Sequence, residues 1–213
     1  QARPLLCCVW EPARRRALEE RDALQALIAR EGGNFALAPW DWRYYAEKLR
    51  HEKYDFDSEA LKPYFTLPNL IEAAFFTAGK LFGLSFRARH DLPVYHSDVQ
   101  TWEAIREDKV IGLFYGDYFA RPGKQSGAWM SSFRDQHRLG DRGPEEGEVL
   151  PIVINNANFN KADPCLLSFD DAVTLFHEMG HALHGLLSQV RYPRLSGTNV
   201  ARDFVELPSQ IFE

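Results

Sequence analysis

One stretch constrains the fold of this chain more than any other: Ser168-Phe-Asp-Asp-Ala-Val-Thr-Leu-Phe-His177-Glu178-Met-Gly-His181-Ala-Leu-His184. Ser168 and Asp171 have the spacing of a capping box, which starts a helix by satisfying backbone amides that would otherwise lack partners. Val173, Leu175, Phe176, Leu183, Leu186 and Leu187 supply apolar contacts. On such a helix His177 and His181 lie just over one turn apart, so both imidazoles project from one face. Their nitrogens can converge on one ion at about 2.0–2.1 Å, the usual zinc–nitrogen distance. Glu178 lies one step around the helix, where it reaches a water beside the ion without binding the ion itself.

A catalytic zinc site takes three protein ligands and keeps one open position. The long pattern with Gly three and His six residues after the second motif histidine fails, because His184 and Leu187 stand there. Cys165 lies so close to the helix start that it makes an awkward ligand. The segment 203–213, DFVELPSQIFE, offers carboxylates at Asp203, Glu206 and Glu213. Helical spacing puts Asp203, Glu206, Gln210 and Glu213 on one polar stripe, with Phe204, Leu207 and Ile211 on an apolar one. Pro208 predicts a kink or a helix start close by. Pattern alone leaves Glu206 open between metal ligand and capping-box partner of Asp203.

The rest of the chain reads as helices, then strands, then helices, a mainly α (α+β) architecture. Residues 1–83 form a helical part, with helices expected at 11–31, 40–51, 58–65 and 67–82. Pro12 suits a first turn, and Ala17, Leu18, Leu24, Leu27 and Ile28 mark an apolar face. Trp40, Trp42, Tyr44 and Tyr45 read as core and interface packing. Residues 84–160 form a small mixed sheet with loops: strands at 84–87, 109–119, 125–130 and 149–155, a short helix at 97–106, and an exposed loop at 133–148 with Gly140, Gly143, Pro144 and Gly147. Pro151 suggests an edge position for the last strand. Residues 161–213 are the zinc-binding helices.

Of 213 residues, 45% are hydrophobic and 26% charged, which suits a folded protein rather than a disordered one. A net charge of −5 gives no electrostatic footprint for nucleic acid. No apolar run approaches the roughly 18 residues of a membrane span. Neither nucleic acid nor membrane is therefore an expected partner. Cys7, Cys8 and Cys165 are no disulfide framework, so a reducing, cytoplasmic location is expected. The absence of an initiator Met, and Glu213 falling inside a patterned segment, suggest a piece of a longer protein.

Several motifs occur in one order: Ala38-Pro-Trp-Asp-Trp-Arg-Tyr-Tyr45, Pro93-Val-Tyr-His96, Tyr115-Gly-Asp-Tyr-Phe-Ala-Arg-Pro-Gly-Lys124, His177-Glu-Met-Gly-His181-Ala-Leu-His184, Ser196-Gly-Thr-Asn-Val200 and Asp203-Phe-Val-Glu206-Leu-Pro-Ser-Gln210-Ile-Phe-Glu213. Together they resemble the thimet oligopeptidase family of zinc metallopeptidases, and most of all its bacterial peptidyl-dipeptidases, which remove dipeptides from the C-terminal ends of oligopeptides. The resemblance implies a partial catalytic domain with a zincin-type core and one Zn2+. It implies His177, His181 and Glu206 as ligands, Glu178 as general base and an oligopeptide as substrate. Two departures are visible. Met179 replaces the family's usual Phe, and the family's oxyanion-stabilising tyrosine and histidine residues would lie beyond Glu213. That second departure leaves a zinc-binding fragment without activity as the alternative expectation.

Resemblance to related zinc peptidases puts the substrate-pairing sheet edge at Ser126-Gly-Ala-Trp129, with Gly127 and Ala128 contacting peptide backbone and Gly127 leaving room for close approach. Asn155 and Asn156 read as turn residues. A metal-bound imidazole usually donates its second nitrogen to a carboxylate or carbonyl. Asp203 and Gln210 are candidates for that role. His184 is expected beside the site as a bonded, non-ligating histidine, and His96 as a support from outside.

Overall fold

The computed structural model describes residues 2–54, 58–139 and 147–213. The chain forms two compact units, Gln1–Asp57 and Ser58–Glu213. The first unit contains α1 (Ala2–Arg30) and α2 (Trp42–Tyr54). Leu24, Leu27 and Ile28 recur at helical spacing and are its buried face, while Ala17 and Leu18 are exposed. Helix α1 starts at Ala2 rather than at residue 11, and Pro12 sits in its interior. The helix runs through Pro12 without the hydrogen bond that the missing N–H would have made. Gln25 ties the turn after α1, donating to Phe35 O at 3.0 Å and accepting from Leu37 N at 2.8 Å. The aromatic cluster does not form a core as expected: Trp40 is 83% exposed and α2 buries no residue. Tyr44 instead packs edge-on against Tyr45, with Lys48 over both rings.

The second unit begins with a 3-10 segment, Ser58–Tyr64, and α3 (Leu67–Phe82), which spans the expected residues. Thr66 caps α3 by accepting from Asn69 N at 3.3 Å, and Gly83 closes it in the left-handed conformation at φ 68°. Leu67, Leu70, Ile71, Ala74 and Ala78 form its buried face.

The strands β1 (Leu84–Arg89), β2 (Gln100–Arg106), β3 (Lys109–Phe119), β4 (Trp129–Arg134) and β5 (Ile152–Phe159) follow. They make a five-stranded sheet in the order β1-β2-β3-β5-β4, with β3 and β5 parallel and the other pairs antiparallel. Helix α4 (Phe169–Leu186) and α5 (Glu206–Phe212) complete the fold. Among the described residues the protein is thus five α-helices with one mixed sheet.

Five local expectations change. Residues 100–106 are strand, not helix, because Glu103 finds its partners across the sheet. Arg87 lies directly opposite it on β1 and donates at 2.9 Å, Arg89 joins from the same strand, and Glu103 is buried. The last strand lies inside the sheet, not at its edge. Pro151 stands just before β5, where its carbonyl accepts from Leu113 N at 2.9 Å and no ladder amide is needed from it. Asn155 and Asn156 belong to that strand and are buried. The strand expected at 125–130 runs from Trp129 to Arg134, because Gly127 is left-handed at φ 96°. Of the loop expected at 133–148, Phe133 and Arg134 are strand, and Gln136 is 1% exposed, accepting from Val190 N at 2.8 Å. Gly140, Gly143 and Pro144 lie outside the described residues.

One core joins the layers. Phe75 of α3 stacks on Phe86 of β1 at 4.0 Å and meets Trp102 and Phe114 edge-on. Leu175, Met179, Ala182, Leu183 and Leu186 bring α4 into the same cluster, together with Val153 and Ala157 of β5.

Candidate metal centre

Helix α4 presents the motif. Its capping box is complete: Asp171 N donates to Ser168 Oγ at 3.1 Å, and Ser168 N to Asp171 Oδ2 at 2.9 Å. From that fixed start, Leu175, Met179, Ala182 and Leu186 turn inward. His177 and His181 then stand together, with ring centroids 4.9 Å apart and planes at 86°.

Helix α5 brings the third group. Glu206 is its first residue, so Pro208 lies in the first turn, where its missing N–H costs nothing. Gly180 permits the approach: a Cβ at that position would lie 2.6 Å from Ser209 Cα and 2.8 Å from Pro208 O. Phe212 stacks on Phe176 at 5.6 Å and anchors the far end. As a result Glu206 Oε2 lies 3.3 Å from His177 Nε2 and 3.1 Å from His181 Nε2. Ligands on a tetrahedral zinc at about 2.0–2.1 Å are separated by about 3.3 Å. The two nitrogens and the carboxylate therefore fit a zinc ion in both chemistry and spacing. They are the one group of three or more metal-ligating side chains found among the described residues. The capping-box reading of Glu206 is not what forms: Glu206 Oε2 accepts instead from Ser209 Oγ at 2.9 Å, which with the two imidazoles holds its carboxyl below the usual range.

Glu178 is 8% exposed, and its Oε2 has no partner among the described residues. Burial pushes its carboxyl up to about 6; Glu206 adds to this, while His177 and the Met130 backbone amide oppose it. Met130 belongs to β4, so the acid lies beside the open edge of the sheet. Burial pushes His181 down, against the pull of Glu206.

The outer contacts differ from the sequence assignment. His177 Nδ1 pairs with Glu213 Oε1 at 2.7 Å, not with Asp203 or Gln210. Asp203 lies in the turn before α5 and Gln210 is exposed. The spacing of Glu213, two helical turns after Glu206, was the available signal. Among the described residues His181 Nδ1 and His184 Nδ1 are buried without a partner, so His184 is not hydrogen-bonded through that nitrogen as expected; it packs edge-on toward Phe204 outside the three donors. Cys165 stands apart, with its thiol against Asn160 O at 3.4 Å. His96 accepts from Asp98 N in the turn before β2. Gly127 and Ala128 lie in the loop that leads into β4, the edge strand.

A model of a family described as Peptidase family M3 matches residues 9–213. The chain is 48% identical over 206 residues to a dipeptidyl carboxypeptidase of Escherichia coli, covering 94% of this chain and 29% of that protein. It is 35% identical over 206 residues to oligopeptidase A of the same species, covering 94% and 30%. It is 34% identical over 186 residues to a mitochondrial intermediate peptidase of Arabidopsis thaliana, covering 83% and 25%. The chain thus spans about three tenths of the length of these two curated Escherichia coli relatives.

Proposed function

The chain belongs to peptidase family M3, and from that premise we propose that it is the zinc-binding part of a catalytic domain that hydrolyses peptide bonds in oligopeptides. His177, His181 and Glu206 hold one Zn2+ in a zincin-type core, and the observation that carries this reading is the convergence of their donor atoms. The higher identity to a dipeptidyl carboxypeptidase than to oligopeptidase A favours release of C-terminal dipeptides over internal cleavage. Free cysteines at 7, 8 and 165 suit a reducing compartment such as the cytoplasm.

Zinc in such a site is a Lewis acid and lowers the pKa of water toward about 7. Glu178 takes the proton from the attacking water and delivers it to the leaving amine nitrogen. Its burial excludes competing solvent, and Glu213 keeps the His177 ring oriented. The substrate lies extended along β4, its backbone pairing with the open edge and meeting Gly127 and Ala128 at one end.

Metal analysis combined with a cleavage assay tests this. One equivalent of zinc is expected, lost in His177→Ala and in Glu206→Ala. Glu178→Gln keeps zinc and removes cleavage. Zinc content unchanged by both ligand substitutions sinks the assignment. Zinc bound without cleavage by the unmodified chain favours a second reading, a metal-binding module whose turnover needs more of the relatives' length.

A further inference from the structure

The loop from β3 to β4 delivers the chain to the open edge, and buried polar contacts fix its conformation. Asp117, 1% exposed, accepts two hydrogen bonds from Arg121, each 2.6 Å. The Lys124 ammonium, 4% exposed, donates to Asp117 O at 2.8 Å, Phe119 O at 2.9 Å and Asp117 Oδ1 at 3.0 Å. Past Lys124 the restraint passes to one side chain. Asn158 Nδ2 donates to Gln125 O at 2.8 Å and to Gly127 O at 2.7 Å.

Both amide hydrogens of Asn158 are thus spent on carbonyls two residues apart. That clamp draws the two carbonyls toward β5 and bends the chain between them. Gly127 takes φ 96° there, and a Cβ would meet nothing within 4 Å, so the glycine answers to backbone conformation and not to crowding. Ladder pairing starts at once beyond the bend, with Trp129 opposite Asn156 and Met130 opposite Asn155. The clamp's second carbonyl, on Gly127, thus lies two residues before Trp129, where the edge strand begins.

We propose that Asn158 is a positioning residue for substrate: it presets the 125–128 segment so that an incoming peptide backbone meets the β4 edge in one register beside Glu178. The inference rests on the reading of β4 as the peptide-pairing edge. Holding the loop in its binding conformation removes an ordering cost that each association would otherwise meet.

The test measures binding of a fluorescent oligopeptide to the zinc-loaded chain, alongside the same peptide N-methylated at a central backbone amide. Wild type is expected to bind the first and to lose affinity for the second. Asn158→Ala removes both donors and is expected to weaken binding of the unmodified peptide about tenfold, the scale of one or two hydrogen bonds. It also shrinks the N-methylation penalty, leaves zinc stoichiometry unchanged, and speeds amide hydrogen exchange in residues 125–130. Asn158→Asp keeps the shape without the donors and should match it. Binding of both variants within twofold of wild type, with the N-methylation penalty intact, overturns the role of Asn158 alone. No N-methylation penalty in wild type overturns the edge reading and this inference with it. Loss of zinc together with cooperative unfolding in both variants also overturns it, because Asn158 would then serve folding rather than substrate placement.

Discussion

At the scale of single residues, the centre depends on side chains whose partners lie at very different distances along the chain. Glu213 meets His177 from 36 residues away. Glu213→Gln is expected to lower zinc affinity about 10–100-fold without unfolding the protein, measured by competition with a chelator. His177, Glu178 and His181 were readable because one helical turn relates them. Glu213 was not assigned this role, because it depends on where α5 starts. That start is Glu206 and not Asp203, which leaves Asp203 in a turn and aligns 206 with 213. Asp117 supports a second prediction. Burial alone would push its carboxyl up, but Arg121, Tyr95 and Lys124 overcome that and hold it well below the usual range. A carboxyl depressed in the folded state adds stability above its unfolded pKa of about 3.9, and that stability is lost as pH falls. Denaturant midpoints measured between pH 7 and pH 3 should therefore fall below about pH 4. Asp117→Asn should flatten that fall and cost about 3 kcal/mol at pH 7, because it takes the acceptor from the buried Lys124 ammonium and from the half-buried Arg121.

At the scale of elements, the candidate metal centre is a contact between two helices. Gly180 lets the α5 backbone approach α4. Gly180→Ala is expected to push α5 outward, separating Glu206 from the histidines. Zinc affinity should fall more than stability does, a split visible by comparing metal titration with thermal unfolding. Ser168→Ala removes the α4 cap and should cost about 1 kcal/mol in a denaturant titration. Elements with local punctuation were legible: α3 has Thr66 and Gly83 at its ends, α4 has its capping box, and β3 carries the apolar run 110–115. Elements defined by distant partners were not. The segment 97–106 reads as a short helix until Arg87 and Arg89 are placed across from Glu103, and the start of β4 depends on Asn158, thirty-one residues after Gly127.

At the scale of the whole molecule, the proposed zinc site would link metal binding to folding. The unfolded chain does not hold the three donors together, so zinc should stabilise the native state by mass action. At free zinc one hundredfold above Kd the gain is about 2.7 kcal/mol. A rise in Tm with zinc concentration, abolished in His181→Ala, would check this. The outermost strand carries a different implication. Its straight run is bounded by the bend at Gly127 and by the register shift between Ser132 and Arg134. Such irregularities limit how much of any guest can zip alongside. The flank is thus a short ruler: on the proposed pairing it would grip a few residues of a passing polypeptide, while the same brevity works against two copies of the protein fusing their sheets into a growing ribbon.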